Sequence, residues 1–267
     1  MSKVVLITGG SSGIGKSIGE FLNNRGFVVY GTSRQPDKHE DSKFPILPLD
    51  VKDLLSIRNT VKAIIEKEGK LDVLVNNAGV GITGPIEEIP EEEIKNNFET
   101  NFFGPLNVIK SVLPQMRQQQ SGLIINITSI AGYMGLPYRG IYSASKAALE
   151  IITESFRMEL KDFNIHMTNI APGDFATNIA AGRFHSPLLE KSPYYKPYGR
   201  TLELMNSHVD SGSNPEMMAE AVFEIINTKN PKGHYKVGAF MQKFSIFLKR
   251  ILPDKIYEKL LLNHYKL

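Results

Sequence analysis

A glycine-rich turn set between a β-branched run and a helical pattern limits this chain's folding options more than any other feature. Val4 to Ile7 reads as a buried strand, and Thr8, Gly9, Gly10, Ser11, Ser12, Gly13, Ile14 and Gly15 follow at once. Ile14, Ile18, Phe21 and Leu22 then recur at helical spacing up to Gly26. Strand, tight turn and helix in direct succession open a βαβ unit. The glycines there let the backbone approach a pyrophosphate lying at the positive end of the helix. Glycines and serines fill many surface turns, so the weight rests on the strand before and the helix after. The dinucleotide reading is preferred to a P-loop reading, and ATP hydrolysis is disfavoured.

The alternation continues down the chain. Val28 to Thr32, Ile46 to Leu49, Val73 to Val75, Leu123 to Ile127 and Ile165 to Ile170 read as strands. Leu54 to Ile65, 91 to 118 and 141 to 162 read as helices. Short Val and Ile runs without polar alternation suit parallel strands buried on both faces. The expected fold is therefore α/β, a single-domain Rossmann-type doubly wound parallel sheet with helices on both faces. At 267 residues, 42% hydrophobic and 22% charged, the chain suits one soluble globular domain. Residues 1–238 are expected to form that domain. Pro187, Pro193 and Pro197 break the rhythm over 182–213, which reads as a substrate loop without a long regular element. Residues 239–267 read as an amphipathic C-terminal extension.

Cysteine is absent, which removes disulfide scaffolds, Cys-based zinc and iron–sulfur sites and thiol catalysis, and fits a reducing compartment such as the cytoplasm. The histidines show no metal-ligand spacing, so no metal is expected. The start lacks the apolar stretch of a secretory leader, and no segment is apolar enough to span a bilayer, so the chain is expected to begin near Met1 and not to cross a membrane. A net charge of +3 is too mild to suggest nucleic acid. Its distribution is uneven: residues 229–267 carry nine Lys or Arg and two acids, giving +7 and leaving −4 for the remainder.

Roughly twenty residues past the glycines, an acid would bind the adenosine ribose of NAD, whereas an arginine would accept the 2′-phosphate of NADP. Here Gly31, Thr32, Ser33 and Arg34 occupy that place, and no acid appears before Asp37. NADP, as NADPH, is the expected cofactor. Further on, Tyr142 and Lys146 stand four apart at the start of a helix, hence on one face. A free tyrosine titrates near ~10, so acid–base work at neutral pH needs a lowering by about two or three pH units. An ammonium ~4 Å away at an effective dielectric near ~20 contributes about 4 kcal/mol, enough on its own. Ser129 lies thirteen residues before Tyr142, at the end of a strand where an open parallel sheet holds its ligand.

With the Thr-Gly-x-x-x-Gly-x-Gly turn and the Tyr-x-x-x-Lys helix both in place, the sequence resembles the short-chain dehydrogenase/reductase family across residues 3 to 240. Asp50 with Val51, Asn76-Asn77-Ala78-Gly79, Asn101, and Pro172 with Gly173 stand in the family's order. The resemblance implies that Asp50 and Val51 flank the adenine, Asn77, Ala78 and Gly79 support the cofactor and the central sheet, and Thr177 touches the nicotinamide amide. It implies an active tetrad of Asn101, Ser129, Tyr142 and Lys146. In it Tyr142 moves the hydroxyl proton, Ser129 orients the carbonyl, Lys146 lowers the tyrosine pKa and grips the nicotinamide ribose, and Asn101 holds a relay water.

Within the family, "LITGGSSGIG", "VYGTSR", "GLPYRGIYSASKAALE" and the extension are similar to the hydroxysteroid and retinol dehydrogenase branch, which implies a lipophilic alcohol or carbonyl substrate. Tyr194, Tyr195, Tyr198, Leu202, Leu204 and Met205 are candidates for an apolar pocket. The alternative function is a non-catalytic NADP-binding sensor or scaffold on the same fold. A homo-oligomer is expected. In the tail, Phe240, Phe244, Phe247, Leu248 and Ile251 form one stripe, and Ile256, Tyr257, Leu260 and Leu261 begin another after Pro253. Burial of that first stripe against protein is the favoured expectation. Peripheral membrane contact is the lesser one.

Overall fold

The computed structural model describes residues 2–175, 182–210 and 212–267, and for 208–210 the backbone alone. Its strands are β1 (Val4–Ile7), β2 (Val28–Ser33), β3 (Ile46–Pro48), β4 (Val73–Asn76), β5 (Ile82–Thr83), β6 (Gly122–Ile127), β7 (Ile165–Pro172), β8 (Phe184–His185) and β9 (His234–Val237). The helices are α1 (Gly13–Asn23), α2 (Leu54–Glu68), α3 (Glu91–Phe98), α4 (Gly104–Gln119), α5 (Gly140–Glu159), α6 (Tyr195–Asp210), α7 (Glu216–Asn227), α8 (Phe240–Ile251) and α9 (Asp254–Tyr265). Seven strands make one parallel sheet in the order β3-β2-β1-β4-β6-β7-β9, while β5 and β8 pair separately. Chain order reverses between β1 and β4, which opens a crevice at the carboxyl ends of the strands.

Each central strand is buried on both faces, which is why its sequence shows no polar alternation. Leu6, Leu74 and Ile124 point to one side, against Ile57 and Ile64 of α2 and Val108 and Val112 of α4. Ile7, Val75 and Ile125 point to the other, against Ile18 and Leu22 of α1 and Met218 and Val222 of α7. Alternate residues of one strand thus feed two cores, and the sheet is held rigid between them. That rigidity fixes the strand ends that carry the site.

Three elements differ from the sequence reading. The expected helix over 91–118 is divided by a π-helical turn at Glu99–Phe103, and Asn101 lies within it. Residues 182–213 are no open loop: β8 pairs with β5, and α6 runs for 16 residues. Pro197 does not prevent this, because it falls in the first turn, where the missing N–H has no intrahelical partner to lose. Beyond it, α7 and the edge strand β9 complete a fold that the reading carried only as far as β7.

The tail forms two helices meeting at Pro253, as expected, but Phe240, Phe247 and Ile251 of the first stripe face outward, while Phe244 is half-buried and Leu248 packs against the protein. Ile246 is buried with Ile130, Met134 and Ala171, and Tyr257 joins them from α9. Phe240, Met241, Phe247 and Ile251 are exposed. The expected burial is therefore corrected in its own-chain form: Phe240 and Phe247 do not cover the protein's own pocket, since α8 is docked through Gln242, Ser245, Ile246 and Leu248 instead. Among the described residues no helix is long and apolar enough to cross a membrane.

Candidate active site

The glycine turn is built by close contact. Gly9 and Gly13 take positive φ angles of 63° and 52°, which favour glycine. A β-carbon on Gly15 would collide with the Gly9 carbonyl and the Asn77 amide, so α1 can approach the end of β4 only without one. Thr8 is buried and ties the parts together, because its Oγ1 accepts from the backbone N–H groups of Asn77 (3.0 Å) and Ala78 (3.1 Å). Asn77 Nδ2 donates in turn to the carbonyls of Thr8 and Gly9, each at 3.0 Å. Gly79 follows at the same strand end, beside Asn101 and Lys146.

Ser12 occupies the N-cap of α1 in extended conformation, makes no side-chain capping bond, and no acid lies in the first turn. The first N–H groups of the helix, at Gly13, Ile14 and Gly15, lack intrahelical acceptors by geometry, and their end of the dipole is positive. Together with Ser11, this end fits a pyrophosphate, so the residues present accommodate a dinucleotide. Residues Gly10 to Ser17 also satisfy the letter of the P-loop spacing. The structure explains why that match carries no phosphate loop: α1 already starts at Gly13, so Gly15, Lys16 and Ser17 are helical, and Lys16 is solvent-exposed.

At the end of β2, Ser33 accepts from the Gln35 N–H at 3.1 Å, and Arg34 is exposed just beyond the strand. Asp50, past β3, accepts from the Lys52 N–H at 2.9 Å, and Val51 is buried beneath it in the core. Both lie on the β1–β2–β3 side of the crevice. Pro172 ends β7, and Gly173 donates to the Val237 carbonyl at 2.8 Å. Thr177 lies outside the described residues.

Ser129 and Tyr142 line one cleft, together with Ile14 from the glycine turn and Pro172 and Gly173 from the end of β7. Ser129 caps a short turn, its Oγ accepting from the Ala131 N–H at 3.1 Å, which fixes the hydroxyl at the end of β6. Lys146 is buried one turn beyond Tyr142 on α5, and its Nζ donates to the Ile127 carbonyl at 3.0 Å. Burial holds its pKa below the usual lysine range, while Tyr142 and Glu150 act to raise it. Asn101 is fully buried; its Oδ1 accepts from the Val80 N–H and its Nδ2 donates to the Val80 carbonyl, both at 2.9 Å. A β-carbon on Gly79 would stand 3.2 Å from Asn101 Oδ1 and 3.4 Å from Lys146 Nζ, so the two polar groups face one small gap.

Sequence reasoning passed over several residues here. Arg139, Asp174 and Arg183 line the same cleft. Arg183 Nη1 is buried with no hydrogen-bond partner among the described residues, and burial followed by the Arg139 guanidinium pulls the Arg183 pKa down. Nothing periodic marks these residues; only the β5–β8 pairing brings Arg183 over Gly81. None of Tyr194, Tyr195, Tyr198, Leu202, Leu204 and Met205 lines this cleft. Tyr198 and Met205 are instead buried in packing, with the Tyr198 hydroxyl donating to the Thr83 carbonyl at 3.2 Å.

Glu150 was also missed. It is buried one turn past Lys146 and accepts from Thr128 Oγ1, Tyr133 OH (3.1 Å) and Asn169 Nδ2 (2.9 Å), with His234 Nδ1 at 2.8 Å. Burial, then the Glu150 charge, pushes the Tyr133 phenol well above the usual tyrosine range and keeps it a donor. A lone glutamate at helical spacing reads as a solvated face, so its burial was not legible.

A crevice at the switch point of a parallel sheet, with a Tyr–Lys pair on the adjoining helix, defines a nucleotide-dependent oxidoreductase of the open α/β class. The family model for short chain dehydrogenase matches residues 3–187. A 3-ketodihydrosphingosine reductase of Bacteroides thetaiotaomicron is 40% identical over 257 residues, covering 96% of this chain and 95% of the relative. Human retinol dehydrogenase 8 is 32% identical over 246 residues, covering 86% and 79% respectively. A crystal structure of a short-chain dehydrogenase from Streptomyces avermitilis aligns with a TM-score of 0.85 at 30% identity, covering 100% of this chain and 97% of that one. The chain belongs to the short-chain dehydrogenase/reductase family and is an oxidoreductase binding a nicotinamide cofactor.

Proposed function

We propose that this protein is an NADP(H)-dependent oxidoreductase that interconverts the alcohol and carbonyl of a lipophilic substrate, with Tyr142 as acid and base. The observation that carries the reading is the cleft itself, where Ser129 and Tyr142 meet the glycine turn at Ile14 while Lys146 lies buried directly behind. When bound, the nicotinamide supplies or accepts a hydride. In reduction Ser129 Oγ donates a hydrogen bond to the substrate carbonyl, and Tyr142 delivers the proton to that oxygen as the carbon receives its hydride. Lys146 would hold the ribose and favour the phenolate that remains, and Asn101 would hold the water that reprotonates it.

NADP preference rests on Arg34 at the end of β2, with no acid before Asp37. Lipophilicity rests on the sphingoid-ketone and retinol relatives, and a long-chain ketone is the substrate class we favour. A homo-oligomer is supported by the exposed Ile151 and Met158, seven apart on α5, and by Phe103 just before α4. The cysteine-free sequence suits the cytoplasm. NADPH consumption by the purified chain is to be measured with a long-chain 3-ketone, retinal, a steroid ketone and a small ketone. Turnover strongest with the long-chain ketone is expected. Tight NADPH binding without turnover of any class would favour the sensor reading instead.

A further inference from the structure

The outward face of α8 has no counterpart in the cleft chemistry. Phe240, Met241, Phe247 and Ile251 are 71%, 66%, 53% and 56% exposed, on a helix whose opposite side is firmly docked. The rings form a continuous row: Phe240 stacks on Phe244 with centroids 5.7 Å apart, and Phe244 on Phe247 at 5.8 Å. Ile256, Leu260 and Leu262 of α9 are exposed beyond it. The same two helices carry Lys243, Arg250, Lys255 and Lys259, with Lys249 paired to Asp254 at 2.8 Å, and residues 240–267 hold six basic groups against two acidic ones.

We propose that this face is a docking surface for an anionic lipid bilayer, with α8 lying in the headgroup region and its aromatic row inserted below. A helix of 12 residues, about 18 Å long, is too short to span but suited to lie flat. The charge selects the occupant. A closed dimer through this face would place each patch on its own copy and set like-charged segments against each other, whereas anionic lipid complements them. Exposed apolar surface for subunit contact is available separately on α5.

The same helix reaches the cleft from its inner side. Gln242 Nε2 donates to Asp174 Oδ2 at 2.7 Å, and its Oε1 accepts from the Asp174 N–H at 3.2 Å, while Asp174 lines the cleft. A seated α8 therefore puts the cleft near headgroup depth, where a lipophilic substrate resides. Only this last consequence rests on the proposed substrate class; the docking itself does not.

The full chain, without cofactor or substrate, is to be sedimented with vesicles of phosphatidylcholine alone and of phosphatidylcholine with phosphatidylglycerol at roughly 7:3. Binding is expected to the mixed vesicles at low salt and to fall steeply at ~0.5 M salt, where screening shortens the reach of the cations to a few ångströms. The double variant Phe240→Ser/Phe247→Ser is expected to lose on the order of tenfold or more in partitioning. Its turnover of a water-soluble ketone should match the parent, because neither ring packs in the core. No binding to mixed vesicles, equal binding to both compositions, or an unchanged double variant overturns the proposal. So does a lower solution mass for the double variant without lipid, which would identify the occupant as a second copy. Vesicle binding and turnover are read separately, so loss of the substrate assignment leaves this test intact.

Discussion

Lys146 is anchored to Ile127 across the helix–strand boundary, its Nζ donating to the last carbonyl of β6 at 3.0 Å. The ammonium is thereby fixed beside the strand end that also presents Ser129. Burial disfavours its charge, and the Glu150 carboxylate one turn away opposes that effect. In Glu150→Gln the opposition is lost, so the Lys146 pKa moves further down and the ammonium gives up its proton at lower pH. In the proposed reaction carbonyl reduction depends on that cation, so the alkaline limb of kcat/KM is expected to move to lower pH. A pH–rate profile checks the sign, and a thermal melt on the same samples separates it from simple unfolding. A limb that stays put or moves upward would remove Glu150 from the chemistry.

Tyr142→Phe deletes one hydroxyl from a residue held by the packing of α5. Turnover is expected to fall by about a hundredfold or more, the worth of a positioned acid–base group, with NADPH affinity nearly unchanged. Rapid-mixing turnover and fluorescence titration of NADPH measure the two separately. Retained turnover would sink the assignment.

Arg34 stands exposed past the last residue of β2, where a 2′-phosphate would be met. Arg34→Asp replaces attraction with repulsion. A charge-assisted contact is worth about 1.5–3 kcal/mol, so NADPH affinity should weaken by roughly tenfold to a hundredfold while NADH binding is spared. Parallel titrations with both cofactors decide it, and a parent enzyme that prefers NADH would contradict the reading.

The central sheet was legible because its strands are buried on both faces and carry uninterrupted Val and Ile, while α1 and α2 show clear apolar periodicity. The dinucleotide turn and the Tyr142–Lys146 pair were legible because both are local in sequence. What escaped notice depends on long-range contact. β9 is a four-residue edge strand, His234–Val237, with too little apolar content to stand out. α6 was hidden by Pro197, whose place in a first turn is invisible without the boundary. The aromatic stripe of α8 was found, but the exposure of Phe240 and Phe247 was not, because α8 docks through the polar Gln242 and Ser245 beside Ile246 and Leu248. Arg183 and Glu150 are likewise products of folding: each is an ordinary charged residue until β8 and α5 carry it inward.

Gly79 offers a test of how Asn101 and Lys146 cooperate. Its φ lies outside the left-handed region, so alanine is conformationally allowed there, and the added carbon would meet Asn101 Oδ1 at 3.2 Å and Lys146 Nζ at 3.4 Å. Both contacts are tight but require the neighbours to yield only by a few tenths of an ångström. The fold should therefore tolerate Gly79→Ala with a change in stability of about 1 kcal/mol. The methyl, however, takes the space that a water bridging the two polar groups would need, beside the ammonium proposed to hold the ribose. Small displacements at such a site cost on the order of a hundredfold in rate, so kcat is expected to drop by roughly tenfold to a hundredfold with the melting temperature little changed. Comparison of kcat, its solvent isotope effect and the melt for parent and variant checks this. An unchanged kcat and isotope effect would show that no proton passes through the gap between Asn101 and Lys146.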